Sequence, residues 1–460
     1  MITAIFAFRD DSPKYKQIYE QFKLFIDRGD ILADERLPSI RQLADSLQVS
    51  RNTTLMAYDQ LVAEGYIRGE GGRGYFANEL EPLISQGKVI LPALKQSESL
   101  APPSLIDFRA GAVDQTHFPL KVWRSIANQV LSLQESYQYG EPFGEMFLRK
   151  QIATYLHQSR GVKTNANAVI IGSSTQQMLI NLGYILKADF PCITVEDPGY
   201  DGARQSFQLH NFMIETLPVY ETGADFSQLE HSKSRLIYVT PSHHSPYGIS
   251  MSIQQRQTLI HWANKIEGYI IEDDYDSEFR YTQQPFPALA SIDPARVIYL
   301  GNFSKSFLPG IRLSYMVLPE PILKRYIHQF LHFESTTSLH SQLTMAKFME
   351  EGEWNRHIKR MRLVYKRKMQ QMVSQLLMQF DQTISIIGEQ SGLYLLIKVD
   401  LNRSEEWLIE QASFHGVKVY PTSIYYLNNT TDIPIIKLGF SNLSSEEIKL
   451  GVELLKMAWV

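Results

Sequence analysis

A lysine, neighbouring hydroxyls and an arginine are spaced for chemistry in the run Gly301-Asn302-Phe303-Ser304-Lys305-Ser306-Phe307-Leu308-Pro309-Gly310-Ile311-Arg312. The apolar stretch Arg296-Val297-Ile298-Tyr299-Leu300 ends at this run, which places Lys305 just past a strand. An amine there can condense with an aldehyde to a Schiff base, while hydroxyls and a guanidinium hold a phosphate dianion. The order suits a cofactor that carries both groups. An exposed loop lysine near an arginine would look the same in this run alone, so the reading depends on what accompanies it.

Four segments accompany it. Ile170-Ile171-Gly172-Ser173-Ser174-Thr175 reads as a strand entering a helix through small hydroxyl residues, where free amides and the Ser174 and Thr175 hydroxyls can cradle phosphate. In Glu272-Asp273-Asp274-Tyr275, residues two apart on an extended chain point the same way, so Asp273 and Tyr275 can face one ligand. A carboxylate keeps a pyridine nitrogen protonated, and a phenol can bond a ring oxygen. Glu196-Asp197-Pro198-Gly199-Tyr200 makes a sharp turn that can lay the Tyr200 ring over a flat cofactor. Pro241-Ser242-His243-His244-Ser245-Pro246-Tyr247-Gly248 is a loop at another strand end, where α/β sheets bind ligands. Its adjacent histidines read as loop residues and no metal site is expected.

The elements that must position these groups are legible from periodicity. From residue 107 onward, helical segments alternate with the apolar runs Val169–Ile171, Cys192–Val195, Leu236–Val239, Tyr269–Ile271 and Val297–Leu300. Such runs predict a mostly parallel sheet covered on both faces, in an α/β domain. Long helical patterns dominate beyond about residue 320, and Leu393–Val399 with Ile435–Phe440 predict strands of a smaller C-terminal α+β subdomain over roughly 330–460.

The first 79 residues have a different grammar. Helical spacing runs over 13–29; a second helix opens at Ser39, which with Gln42 has capping-box spacing; a third runs from Arg51 to Glu64. A glycine-rich hairpin follows through Tyr66–Arg68 and Tyr75–Ala77. Two short helices across a tight turn, then a hairpin, predict a winged helix-turn-helix. Ser50-Arg51-Asn52-Thr53 at the start of the third helix carries the donors that phosphates and base edges require. Residues 1–80 hold ten Lys/Arg against twelve Asp/Glu, so the module is not basic overall; within 36–58, however, Arg36, Arg41 and Arg51 face only Asp45. Residues 80–106, with Pro82, Pro92, Pro102 and Pro103, read as a linker.

Bulk properties exclude several classes. With 460 residues, two or three domains are expected. Cys192 is the only cysteine, which excludes an internal disulfide. No apolar run is long enough to span a bilayer and no signal peptide is legible, so a cytoplasmic location is expected.

Leu37-Pro38-Ser39-Ile40-Arg41-Gln42-Leu43-Ala44, Val49-Ser50-Arg51-Asn52-Thr53 and Leu61-Val62-Ala63-Glu64-Gly65-Tyr66 closely resemble the GntR group of bacterial regulators. The resemblance implies double-stranded DNA as partner, with Arg41, Arg51, Thr53 and Arg73 in contact. Residues 107–460 resemble the class I aminotransferases of pyridoxal-phosphate fold type I. By that resemblance Lys305 forms the Schiff base with pyridoxal 5'-phosphate. Asp273 pairs with the pyridine nitrogen, Tyr275 contacts the ring oxygen, and Tyr200 stacks on the ring. Ser174, Thr175, Ser304 and Arg312 hold the phosphate, and Tyr139 reaches the phosphate of a partner subunit. A reader at 1–79, a linker at 80–106 and an aminotransferase-like body at 107–460 is the architecture of the MocR/GabR family. It implies a head-to-tail homodimer that regulates transcription in response to an amino compound, rather than an enzyme.

Two positions depart from the pattern. Ser245-Pro246-Tyr247-Gly248 stands where aminotransferases carry Asn-Pro-Thr-Gly, and Lys437 stands where an arginine commonly grips the ligand carboxylate. A lysine keeps charge but loses the bidentate fork. Lys437 is expected either to contact the ligand or to lie on a strand surface. A working aminotransferase and a sensor of pyridoxal phosphate itself are the alternative functions.

Overall fold

A capping box starts the reading module. The Ser39 hydroxyl accepts the Gln42 amide and the Gln42 side chain accepts the Ser39 amide, satisfying two donors that open the helix. Helices α1 (Lys14–Asp27), α2 (Ile40–Leu47) and α3 (Arg51–Ala63) pack with a hairpin, β1 (Ile67–Glu70) and β2 (Gly74–Ala77), around Phe22, Leu43, Tyr58 and Leu61. Gln48 takes a left-handed conformation to turn α2 into α3. This is the winged helix-turn-helix expected from the sequence.

The structure is a computed structural model that describes residues 8–9, 12–80, 106–281, 286–428 and 433–460. The chain divides into two compact units, Met1–Glu98 and Ser99–Val460. Nearly all of the expected linker lies outside the described residues.

The second unit opens with β3 (Ile106–Asp107), α4 (Leu120–Leu131) and α5 (Met146–Arg160). Its large sheet is built from β4 (Val169–Gly172), β5 (Cys192–Asp197), β6 (Met213–Tyr220), β7 (Gly223–Ala224), β8 (Leu236–Val239), β9 (Tyr269–Asp274), β10 (Val297–Asn302) and β11 (Ser314–Val317). Between them run α6 (Thr175–Leu186), α7 (Asp201–Gln208), α8 (Ile253–Lys265) and α9 (Leu289–Ile292). The strand order is β4-β11-β10-β9-β8-β5-β6-β7. β10, β9, β8, β5 and β6 are parallel neighbours, while β11 is antiparallel to both of its neighbours. One face is covered by a core containing Met178, Leu182 and Phe207, the other by one containing Ile152, Leu259 and Trp354. Burial on both faces explains the unbroken apolar runs.

Helices α10 (Glu320–Phe330), α11 (Leu339–Glu350) and α12 (Glu353–Phe380) lead to a small antiparallel layer. Its strands are β12 (Ile384–Ile387), β13 (Tyr394–Val399), β16 (Ile435–Gly439) and β15 (Tyr420–Pro421), in that order, and α13 (Glu405–Phe414), β14 (Val417–Lys418) and α14 (Ser445–Trp459) belong to the same stretch of chain. β3 pairs with β14, so the start of this unit is stitched into its C-terminal layer. The apolar-run reading passed over β6, β11 and β12. β6 and β12 carry exposed or half-buried positions, and β11 opens on a serine, Ser314, that interrupts its apolar run.

Candidate functional site

The carboxyl ends of the parallel strands meet the small layer at a cavity of about 370 Å³. Ser174, Thr175, Tyr200, Asp273, Tyr275, Ser304, Lys305, Arg312 and Lys437 all line it, although they come from six separate segments. Such a position, outside the strand ends of an open α/β sheet, is where ligands bind.

Ser174 caps α6 and its hydroxyl accepts the Gln177 amide at 3.1 Å. The amides at the start of α6 have no partner within the helix and suit an anion. Arg312 holds a left-handed backbone, φ 54°, at the end of a short 3-10 turn, and has no carboxylate within ion-pair distance among the described residues. The Ser304 amide is tied to Asn302 Oδ1 at 3.1 Å.

β9 sorts its acidic residues by alternation. Glu272 and Asp274 face away from the cavity: Glu272 accepts two amides at 2.9 Å, from Leu289 and Ala290, and Asp274 pairs with Arg160 Nε at 2.7 Å. Asp273 and, just beyond the strand, Tyr275 face the cavity. Asp273 Oδ2 accepts the Tyr238 hydroxyl at 2.5 Å, whereas the buried Oδ1 has no partner. Burial pushes the Asp273 carboxyl up to about 7, against the lowering effect of the Tyr238 hydrogen bond. A buried carboxylate oxygen without a donor calls for one from a ligand.

Lys305 sits beside this carboxylate. Burial lowers its pKa below the ordinary lysine value; Asp276 works in the opposite direction and Arg109 adds to the lowering. A larger neutral fraction makes the amine a better nucleophile. The Gly111 backbone lies so close that a Cβ there would come within 1.7 Å of Lys305 Nζ. The Tyr200 ring likewise rests on Gly202, where a Cβ would fall 2.4 Å from Tyr200 Cζ.

Lys437 is not a strand-surface residue. It is 6% exposed, its Nζ lies 3.9 Å from the Tyr394 ring centre, and it donates to the Tyr425 hydroxyl at 3.2 Å. Burial, and next the nearby Lys305 charge, bring its pKa down to about 7. Tyr139 does not line the cavity and is 89% exposed. The histidine loop is buried rather than solvated: His243 pairs with Asp276, and burial holds His244 neutral, with a pKa of about 3. Among the described residues, no group of three or more His, Cys, Asp or Glu could hold a metal ion. The sequence reading missed Arg109, Asp276, Tyr394 and Tyr425, which also line the cavity. Asp276 lay within a legible acidic run; the other three carry no local signal.

In the N-terminal unit, Arg41, Arg51 and Arg73 are exposed. Arg41 lies 4.0 Å from Asp45, and Arg73 donates to Glu70 at 3.2 Å, surface pairs worth little. The Thr53 hydroxyl lies 2.7 Å from that of Ser50, the residue capping α3.

Residues 14–76 match the bacterial regulatory proteins of the gntR family, and residues 103–455 match aminotransferase class I and II. The chain is 40% identical to an uncharacterised HTH-type transcriptional regulator of Bacillus subtilis, YdeL, covering 98% of this chain and 97% of that one. It is 30% identical to the probable rhizopine catabolism regulatory protein MocR of Rhizobium meliloti, covering 98% and 94%. The fold is similar to that of a multiple substrate aminotransferase from Thermococcus profundus, with TM-score 0.71 and 24% identity over 78% of this chain and 92% of that one. The chain therefore belongs to the aminotransferase class I and II family and, with its gntR-family N-terminal module, to the MocR-type transcriptional regulators.

Proposed function

We propose that this chain is a pyridoxal-phosphate-dependent transcriptional regulator that reads an operator with α3 and senses an amino compound in the cavity at Lys305. The observation that carries the proposal is a single cavity with three features. It holds the buried Lys305 amine, the unpartnered Asp273 Oδ1 and an anion-suited set of Ser174, Thr175, Ser304 and Arg312. These residues fit the coenzyme: Asp273 lacks the donor that a protonated ring nitrogen offers, and Arg312 lacks an anion.

Bound there, pyridoxal phosphate supplies an aldehyde carbon that exchanges one amine for another. Lys305 provides the resident amine, Asp273 holds a proton on the ring nitrogen, and Tyr200 covers one face. Arg312 and the start of α6 neutralise the phosphate. An incoming amine would compete with Lys305 for that carbon, and Lys305 would hold or give up its place there accordingly. Lys437, on β16 of the small layer, meets the rest of the incoming molecule. Passing that event to DNA requires the ligand to favour one of two states of the protein. The exposed Tyr139 supports a head-to-tail homodimer in which it completes the partner subunit's phosphate site. Among the described residues no helix is long and apolar enough to cross a membrane, which agrees with a cytoplasmic reader of DNA controlling genes of amino-acid or vitamin B6 metabolism.

A second reading, response to the coenzyme itself, is favoured by Lys437: burial disfavours its charged form and it lacks an arginine's bidentate fork, which makes it a weaker carboxylate clamp. Loading the purified protein with pyridoxal phosphate tests both. A visible band that disappears in Lys305→Ala is expected. Footprinting should then change on adding an amine, and a change with coenzyme alone selects the second reading. A colourless protein overturns both. Arg51→Ala should weaken the footprint and leave the band intact.

A further inference from the structure

Behind Tyr275 lies a buried pair that no step above uses: His243, outside the cavity lining, and Asp276, which is part of it. His243 Nδ1 is 2.8 Å from both carboxylate oxygens of Asp276, and the same nitrogen is 3.1 Å from the Tyr275 hydroxyl. The far edge of the imidazole lies against two glycines: a Cβ on Gly392 would fall 2.6 Å from His243 Nε2, one on Gly248 3.1 Å away, and Nε2 has no hydrogen-bond partner. The Tyr275 hydroxyl has one other neighbour, the Tyr394 hydroxyl at 3.4 Å, which donates its own proton to the Pro246 carbonyl at 2.9 Å.

These contacts fix where the protons lie. A carboxylate only accepts, so the proton shared with Asp276 sits on His243 Nδ1. That nitrogen then has no lone pair to take a proton from Tyr275; it can only donate to the phenol oxygen. Burial, and next the Asp276 charge, hold the Tyr275 phenol protonated, well above its ordinary pKa. The phenol proton therefore has two destinations, the distant Tyr394 oxygen or the cavity. Where aminotransferases place an asparagine beside the ring oxygen, this chain has Ser245.

Resting on the coenzyme reading above, we infer that His243 and Asp276 are positioning residues that force Tyr275 to act as a hydrogen-bond donor into the cavity, toward the coenzyme's ring oxygen. The pair thereby takes over the orientation that the missing asparagine would share. The other charged groups facing Tyr275 and its neighbours include Asp273, Arg109, Lys305 and Lys437, and all four stay in place in the variants below.

The test is a pH titration of the visible absorbance of the protein loaded with pyridoxal phosphate. A donor on the ring oxygen favours the form with the most negative oxygen, which is the deprotonated one, so losing it moves the midpoint up. Tyr275→Phe removes the donor, and His243→Leu removes the N–H that occupies Asp276 and leaves that carboxylate to accept the phenol proton; each should raise the midpoint by about one pH unit. His243→Asn, which can still donate to Asp276 and to the phenol, should stay near the parent. Combining His243→Leu with Tyr275→Phe should add nothing to Tyr275→Phe alone, because His243 acts through that phenol. If His243→Leu does not fold, His243→Met carries the test. It has no N–H for Asp276 and keeps that carboxylate's charge in place, free to accept the phenol proton, so the same upward shift is expected. An unchanged midpoint in whichever of these two variants folds, or full additivity with Tyr275→Phe, overturns the inference while leaving the coenzyme assignment standing. A colourless parent protein is the separate failure of the coenzyme reading.

Discussion

Replacing Lys437 by methionine should make the coenzyme-free protein more stable, and the gain should depend on pH. Lys437 has no carboxylate within 4 Å among the described residues; its partners are two tyrosine rings, at 3.9 and 4.8 Å, and one phenol oxygen. Its pKa falls from 10.5 to about 7, chiefly through burial. The unfolded chain keeps the ordinary value, so between those two pH values the unfolded state binds more protons than the native state. Stability therefore rises with pH across that window, and the full cost of charging Lys437 is felt below pH 7. The shift corresponds to about 5 kcal/mol, of which the two aromatic contacts offset about 1–2 kcal/mol, leaving roughly 3.

Methionine has similar length and no charge. Lys437→Met should gain about 3 kcal/mol at pH 6, less at pH 9, and nothing as the pH approaches 10.5. For a unit of the size of Ser99–Val460, with about 2 cal/mol/K of unfolding entropy per residue, that is a rise in Tm of about 4 °C at pH 6. Thermal unfolding of parent and variant at pH 6 and pH 9 measures it. A variant less stable than the parent at pH 6, or a difference unmoved by pH, would refute the reasoning. On the proposed ligand role of Lys437, the same variant should also bind carboxylate-bearing amines more weakly.

Three further outcomes follow from close contacts. Gly111→Ala places a methyl in the space of Lys305 Nζ, on a backbone with φ 87°; displacing the amine should weaken coenzyme uptake by more than about tenfold in an equilibrium titration. Arg160→Met strips the buried Asp274 of its 2.7 Å partner and frees the Ser242 hydroxyl bonded at 2.6 Å. It should cost about 3–5 kcal/mol in thermal or denaturant unfolding. Ser39→Ala breaks the capping box of α2 and should cost about 1 kcal/mol, read as faster amide exchange in α2 and weaker operator binding with an unaltered visible band.

The chemistry of this protein was written locally, and its geometry was not. Ser39 and Gln42 meet three residues apart, the wing turns on its own glycines, and the apolar runs of β5, β8 and β9 declare a doubly covered sheet. Such signals act within a turn of helix or a few strand residues, so they survive in the sequence alone. Lys305, Asp273 and Tyr275 were legible for the same reason: each lies at or just past the end of an apolar strand.

Tertiary structure decided the rest. Whether Lys437 faced solvent or ligand depended on the pairing of β16 between β13 and β15, which buries it against Tyr394 and Tyr425. Arg109 reaches the cavity because β3 pairs with β14, more than three hundred residues later. The proton order of the Tyr275, His243 and Asp276 contacts needed three-dimensional distances between a loop after β8 and a turn after β9. Side-chain type and short-range periodicity name the groups a site can use. Strand pairing across long stretches of chain determines which of them share one enclosed volume, and burial in that volume then sets their charge.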